Sequence, residues 1–382
     1  MERLSNGFAH NWATNNHFSE QNLLKQEFLL TLFVPSRHNF LLGRKDEPIA
    51  TMRQLVLTAP GQFLSRDVDP PSCPSDCALV RINSIGVCGS DFHAFAGRHP
   101  AYVYPRVIGH ELAGTVIHAE DNEFSIQIGD RCAIEPYVNC GECSTCRMGR
   151  PNCCERLEVL GVHRDGGMQE ILAVPYRLLH RSATLSPDEL ALVETLGIGS
   201  HAVARSGAHE GEATLVIGAG PIGLGTALFA RAAGCRVTVV EPNQYRREFA
   251  QKQGFDVATS TEELSADIVF DATGNAKVMA ESLHHVAPGG RLVFVGLTSN
   301  PVILDDSFFH KREITLLASR NSAHQFPRIL RMMENGEISV KEWITDRLTI
   351  SDVASEFAEL PARPRLIKAI VSLGSNAMEG KK

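Results

Sequence analysis

From Met52 onward the apolar residues come in short runs cut by glycine, proline and aspartate. "TMRQLVLTAPGQF" opens the first strand, and "CALVRINSIGV", "RVIGHELAGTVIHA" and "DRCAIEP" carry the pattern on towards Gly199. Short runs with turn signals predict a β-barrel-like domain. From about Ser200 the rhythm changes. "ATLVIGAG" reads as a strand, "PIGLGTALFARAAG" as a helix and "RVTVVEP" as a strand. "ADIVFDATG", a helix in "AKVMAESLHHV" and "GRLVFVGL" follow. Alternating strands and helices imply a parallel sheet with crossover helices. A helix in "FPRILRMMENG" and a strand in "LIKAIVSLG" close the chain. The expected division is 1–51 as a loosely ordered extension, 52–199, 200–320 and 321–382. Met52 is an alternative beginning.

Composition narrows this picture. A chain of 382 residues exceeds one ordinary core, so two domains are expected. Hydrophobic content of 43% and charged content of 21% fit a soluble globular protein. The formal charge of −7 argues against a nucleic-acid or anionic-membrane surface, which needs a basic face. "FLLTLFVP", broken by Thr31 and ended by Pro35, is too short to span a bilayer. Neither a secretory nor a transit pattern is visible, so a cytoplasmic, reducing setting is expected.

"GAGPIG" supplies Gly218, Gly220 and Gly223 in the G-x-G-x-x-G spacing. A strand leads in, a helix leads out, and the next strand ends at Glu241. That is the dinucleotide fingerprint: glycines for the turn, the phosphate approach and the helix packing, and an acid for the ribose hydroxyls. The acid would repel a 2′-phosphate, so NAD is favoured over NADP. Arg246 either stacks near the adenine or lies on a solvated helix face. Ile222 covers the dinucleotide near the loop. Thr273 in "DATG" and Val295, Gly296 and Leu297 in "VFVGL" fall at the carboxyl ends of strands, where cofactor and substrate should meet.

Five of the ten cysteines lie in "NCGECSTCRMGRPNCCE". Cys140, Cys143, Cys146 and Cys154 give C-x2-C-x2-C-x7-C, four thiolates that can close tetrahedrally on a structural zinc. An iron–sulfur cluster would also take four thiolates, but the spacing lacks a ferredoxin pattern. A disulfide framework is the other alternative. Cys153 reads as a spare thiol, and Cys73, Cys77, Cys132 and Cys235 as ordinary small residues.

"GHELAG" sets His110 and Glu111 inside an apolar run, and buried charge needs a partner. "GVCGSDFH" offers Cys88 as a companion ligand to His110. A third ligand from elsewhere would leave an open position, the pattern of a catalytic zinc.

With "GVCGSDFH", "GHE", the cysteine loop and "GAGPIG" in this order, the chain from about Met52 to Gly374 resembles the zinc-containing medium-chain dehydrogenase/reductase family. The resemblance implies an α/β fold: a Rossmann doubly wound parallel sheet inserted in a chaperonin-10-like (GroES-like) β-barrel catalytic domain. It implies Cys88 and His110 as catalytic zinc ligands. Simple alcohol dehydrogenases add a cysteine just before the Rossmann domain. Here "ALVETLGIG" offers Glu194 instead, as in the polyol and threonine dehydrogenase branches, with Thr195 where those carry proline. Glu111 is expected just outside the ligand set, swapping in as a water leaves. The implied reaction is metal-assisted hydride transfer from a secondary hydroxyl of a polyol, sugar or sugar acid to NAD. Ser90 and His93 are spaced to relay the proton out, and Asp91 to orient a zinc ligand. By likeness to polyol dehydrogenases Arg320 lies near the nicotinamide edge and touches substrate; the alternative is a surface arginine. The expected partners are a small-molecule substrate and further copies of the chain, as dimer or tetramer. Alternatives are a threonine 3-dehydrogenase or simple secondary alcohol dehydrogenase, zinc-free quinone reduction, and a catalytically silent nucleotide-binding homologue.

Overall fold

The computed structural model describes residues 51–373. Positions 1–50 of the expected extension lie outside the described residues. Six parallel strands form one sheet, in the order Asp256–Ala258, Arg236–Val240, Ala213–Ile217, Ala266–Asp271, Val286–Phe294 and Thr315–Ala318. Leu215, Val216, Val239, Ile268, Val269 and Phe270 are buried, as expected of strands covered on both faces. The order reverses next to Ala213–Ile217, and the glycine loop leaves that strand at the switch point.

A second sheet of seven strands carries the barrel-like half. Its path runs Ile344–Thr349, Lys368–Ser372, Cys77–Val87, Glu111–His118, Arg131–Ile134, Leu179–Arg181, with Ile171–Pro175 pairing to Cys77–Val87 off that path. The last described strand therefore returns to this second sheet, antiparallel to Cys77–Val87. This return decides the chemistry below. Gly86 pairs with Glu111 on one side and Ile370 on the other, so three distant segments share one register line.

Two elements differ from the expectation. "AKVMAESLHHV" is helical only over Ala276–Glu281 and tightens into a 3-10 turn over Ser282–His285. In "RVIGHELAGTVIHA" the strand starts at Glu111, which leaves His110 on the approach to it. Both domains share helix Val193–Ser206. It packs on Pro221–Ala232 and on Phe326–Glu334, and ends where Gly207 turns left-handed.

Candidate active site and metal sites

Helix Gly89–Phe95 begins at Cys88, and Asp91 holds that start: its Oδ2 accepts from the Cys88 backbone N at 2.9 Å. The other oxygen, Oδ1, faces His110 Nδ1 at 3.6 Å. One buried carboxylate thus fixes both the turn that presents Cys88 and the ring of His110. Nε2 of His110 is left to the opposite side, where Ser90 Oγ stands 3.5 Å away. Ligand atoms of Cys88, His110 and Glu111 lie within 4.8 Å of one another.

Glu111 is 0% exposed, and both its oxygens accept from Lys368 Nζ, at 2.6 and 2.8 Å. Nζ also reaches the Val87 carbonyl at 3.3 Å. Gly86 makes this pair possible. A Cβ there would stand 2.0 Å from Glu111 Oε2, so no other residue leaves room for the carboxylate. Glu194, 4% exposed, projects from the first turn of Val193–Ser206 and accepts from the Tyr137 hydroxyl. It stands outside the closest trio, yet near enough to exchange charge with His110, Glu111 and Lys368.

The electrostatics describe a pocket short of cations. Burial raises the carboxyl pKa of both Asp91 and Glu194. For His110 burial pulls the pKa down, but Asp91, Cys88 and Glu194 outweigh it and hold the imidazole well above its ordinary value. Lys368 behaves the same way: burial lowers its pKa, and Glu111 and Cys88 more than restore it. Three buried carboxylates and a thiol face one ammonium and one imidazole. Such an excess asks for a further cation, and the thiol, imidazole and carboxylate donors suit zinc.

The cysteine loop is built differently. Its sulfurs converge: Cys140 to Cys154 at 3.5 Å, Cys143 to Cys154 at 3.8 Å and Cys140 to Cys146 at 4.0 Å. Backbone N–H groups of Cys140, Cys143 and Arg156 point at these sulfurs from 3.3 to 3.4 Å. A hydrogen bond from Thr145, then backbone N–H groups, lower the Cys143 thiol to about 5. Burial pushes Cys154 up to about 11. A shell of four thiols with charge-stabilising donors fits a closed zinc site. All ten cysteines are free, and Cys153 is exposed.

At the glycine loop, a Cβ on Gly223 would lie 1.8 Å from the Gly218 carbonyl, whereas one on Gly220 would meet nothing within 4 Å. The third glycine is needed for packing, and the second borders open space. Glu241, 7% exposed, sits beside this loop; its Oε2 accepts from Ala219 N at 2.8 Å and its Oε1 from Asn243 N at 2.9 Å. Thr273 binds Asp271 through both its N–H and its hydroxyl. Gly296 lies against Gly274 and Thr273, next to Val295, so these strand ends gather at the loop. An open cradle at a helix N-terminus, with an acid beside it, fits a dinucleotide.

Residues 74–184 match the family model of the alcohol dehydrogenase GroES-like domain, and residues 221–335 that of zinc-binding dehydrogenases. The L-galactonate-5-dehydrogenase of Escherichia coli (strain K12) is 35% identical over 339 residues, covering 85% of this chain and 100% of that protein. The chain belongs to the zinc-containing medium-chain dehydrogenase/reductase family. Among solved structures of this family, RspB from E. coli CFT073, complexed with NADH, has a TM-score of 0.80 at 26% identity, covering 85% of this chain and 100% of that one. A protein described as a zinc-binding dehydrogenase from Sinorhizobium meliloti 1021, bound to NADP, gives 0.79 at 27%, with the same two coverages. As a family member the chain is a zinc-dependent oxidoreductase that uses a nicotinamide dinucleotide. No described helix is long and apolar enough to cross a membrane.

His93 is exposed and opens on a cavity of about 650 Å³, lined also by Phe92, Phe95 and Phe357. Among the described residues no hydrogen bond joins it to Ser90. Arg246 is half-buried and only its backbone N is tied, to Asn243 Oδ1. The neighbouring Arg247 instead clamps the turn, donating to the carbonyls of Glu241 and Pro242. Ile222 is half-buried against the core, and Leu297 is 87% exposed. Arg320 donates from Nε to the Asn152 carbonyl at 3.3 Å and returns its own carbonyl to Asn152 Nδ2 at 2.9 Å. Lys368 and Tyr137 were missed by sequence reasoning. A lysine in the middle of "LIKAIVSLG" was the available signal.

Proposed function

We propose that this dehydrogenase oxidises a secondary hydroxyl of a polyol, sugar or sugar acid, with NAD as hydride acceptor. The observation that carries the reading is the meeting of Cys88, His110 and Glu111 within 4.8 Å, with the carboxylate Glu194 rather than a second thiol beside them. The E. coli relative is named for action on L-galactonate, a sugar acid. When bound, the zinc supplies a Lewis acid for the substrate oxygen and the dinucleotide a hydride acceptor.

Cys88, His110 and Glu194 would hold the catalytic metal, and Lys368 holds Glu111 beside them through both its oxygens. Asp91 fixes the His110 ring through Nδ1, which leaves Nε2 as the atom that would serve as ligand. Ser90 takes the substrate proton, and His93, exposed and without a hydrogen bond to Ser90 among the described residues, passes it to solvent through a bridging water. Cys140, Cys143, Cys146 and Cys154 hold a second, structural zinc. Gly218, Gly220 and Gly223 cradle the pyrophosphate. Glu241 accepts from the ribose hydroxyls and repels a 2′-phosphate, which favours NAD over NADP. Thr273, Val295 and Gly296 flank the nicotinamide half. The division at about 199 and 320 separates the catalytic and dinucleotide domains. Strand Thr315–Ala318 pairs only with Val286–Phe294 and is an edge of its sheet among the described residues, with Leu316 37% exposed, so a second copy docks there. The protein works in the cytoplasm.

A panel assay of purified protein tests this. NADH or NADPH formation is followed with L-galactonate, galactitol, sorbitol, xylitol, threonine and 2,3-butanediol. Turnover of a polyol or aldonate with NAD is the expected result. Turnover of threonine or butanediol alone overturns the substrate class.

A further inference from the structure

Two loops meet beside His110. One follows helix Gly89–Phe95, and the other joins Glu158–Val159 to Ile171–Pro175. Tyr102 links them: its hydroxyl donates to the Gly161 carbonyl at 3.1 Å, and its ring meets that of His99 edge-on at 5.7 Å. The second loop is pressed onto the backbone just before His110, with Gly166 N donating to the Val107 carbonyl at 2.8 Å and Gly167 N to that of Gly109 at 3.0 Å.

Each loop carries a histidine held in the same way. The Val159 N–H donates to His163 Nδ1 at 3.1 Å, and the Ala101 N–H donates to His99 Nδ1 at 3.3 Å. A nitrogen that accepts cannot carry the ring proton, so each neutral ring has its proton on Nε2. Burial holds both rings below the ordinary imidazole pKa, which keeps that tautomer near neutral pH. Both rings therefore present a fixed N–H donor away from the backbone. Neither Nε2 has a hydrogen-bond partner among the described residues.

The surroundings add charge. His99 lies in electrostatic reach of His110 and His163, and His163 in reach of Glu158, which Arg164 pairs at 3.6 Å, and of Arg320 and Arg106. Arg106 is paired with Asp165 at 3.3 Å. Arg320 pairs with no carboxylate among the described residues. Its Nε is fixed on the Asn152 carbonyl, which leaves both Nη groups to point elsewhere.

We propose that His99, His163 and Arg320 form an anion subsite that holds the carboxylate of a sugar-acid substrate, while a hydroxyl farther along that substrate reaches Cys88 and His110. The inference rests on the dehydrogenase reading and names the substrate class within it. A carboxylate only accepts hydrogen bonds, and the three groups offered to it here are donors, one of them a cation, while the neighbouring Glu158 is paired with Arg164. An alditol ends instead in a neutral hydroxymethyl group that gains less from the same donors. The subsite thus separates two molecules of the same carbon skeleton by their end group.

The test compares kcat/KM for L-galactonate and galactitol with NAD, in the zinc-loaded enzyme and in the variants His163→Phe and Arg320→Gln. The native enzyme should prefer the aldonate by about tenfold or more, as for a hydrogen bond to a charged group. Each variant should reduce that ratio, chiefly through KM for the aldonate. Arg320→Lys should restore part of it, because the charge returns without the fork. Equal use of both compounds, or an unchanged ratio in both variants, overturns the subsite and leaves the dehydrogenase reading standing. Silence with both compounds and with the other polyols overturns the two together.

Discussion

Cys140, Cys143, Cys146 and Cys154 come from one stretch, with 14 positions between the first and the last. Glu111 and Lys368, in the buried site, stand 257 positions apart and meet only because strand Lys368–Ser372 returns to the seven-stranded sheet. The two metal sites also differ in what supports them. Local backbone N–H groups stabilise the loop sulfurs, and its residues are largely half-exposed. The other site depends on long-range pairing of Asp91 with His110 and of Glu111 with Lys368, beside Glu194, all of them residues at most 6% exposed. A site built within one loop can fail alone. A site assembled by the fold fails together with the fold.

The sharpest way to break that comparison is Lys368→Met. It leaves the Glu111 carboxylate buried without its partner, in a pocket already rich in negative charge. The expected cost is about 3–5 kcal/mol of stability, measured by denaturant unfolding. Glu111→Gln added to Lys368→Met should recover most of it, since no uncompensated charge then remains. A single variant as stable as the native protein would show that the pair does not hold the site together.

Cys143→Ser is the opposite case. Zinc should fall from two ions to one per chain, one for each of the two ligand groups. Protease should cut first within 140–154, while the unfolding midpoint of the remainder moves little. Global unfolding in parallel with zinc loss would erase the distinction between the sites.

This contrast explains what could be read from the chain. Spacing marked the cysteine loop, and spacing with the flanking strand and helix marked the glycine loop, because every ligand or turn sits within a few residues of the next. Cys88 and His110 were legible as donors for the same reason. Lys368 was not, since its partner is set by which strand lies next to Cys77–Val87, and nothing local encodes that neighbour. Tyr137 was hidden likewise, because a tyrosine in a short strand looks like core until Glu194 is seen beside it. Gly86 reads as an ordinary strand glycine; its role follows only from the Glu111 carboxylate across the ladder. The tie between Arg320 and Asn152 spans 168 positions and was equally out of reach.

Glu241→Ala tests the dinucleotide end. Its carboxylate now accepts from Ala219 and Asn243, and both bonds would give way to ribose hydroxyls or persist beside them. Removing it should lower kcat/KM for NAD by about tenfold and raise that for NADP, narrowing the ratio from both sides. An unchanged ratio would mean that Glu241 serves the loop and not the cofactor.

The smallest expected effect separates the fold-assembled site into its parts. Tyr137→Phe removes one hydroxyl from Glu194 and leaves the ring packing in place. Burial and the nearby Glu194 charge hold the Tyr137 pKa well above its ordinary value, so the group is a neutral donor at any working pH. Losing one such bond to a carboxylate costs roughly 1–2 kcal/mol. If Tyr137 only stabilises the pocket, that loss appears in unfolding, and zinc affinity is unchanged. If it aims Glu194 at the metal, zinc dissociates about tenfold more readily under chelator while stability stays near native. The second outcome is expected, because Glu194 stands apart from the closest trio and needs a fixed direction to join it. Lys368 would then secure the charge balance of the pocket and Tyr137 its geometry, two roles that the loop of four cysteines performs with its own backbone.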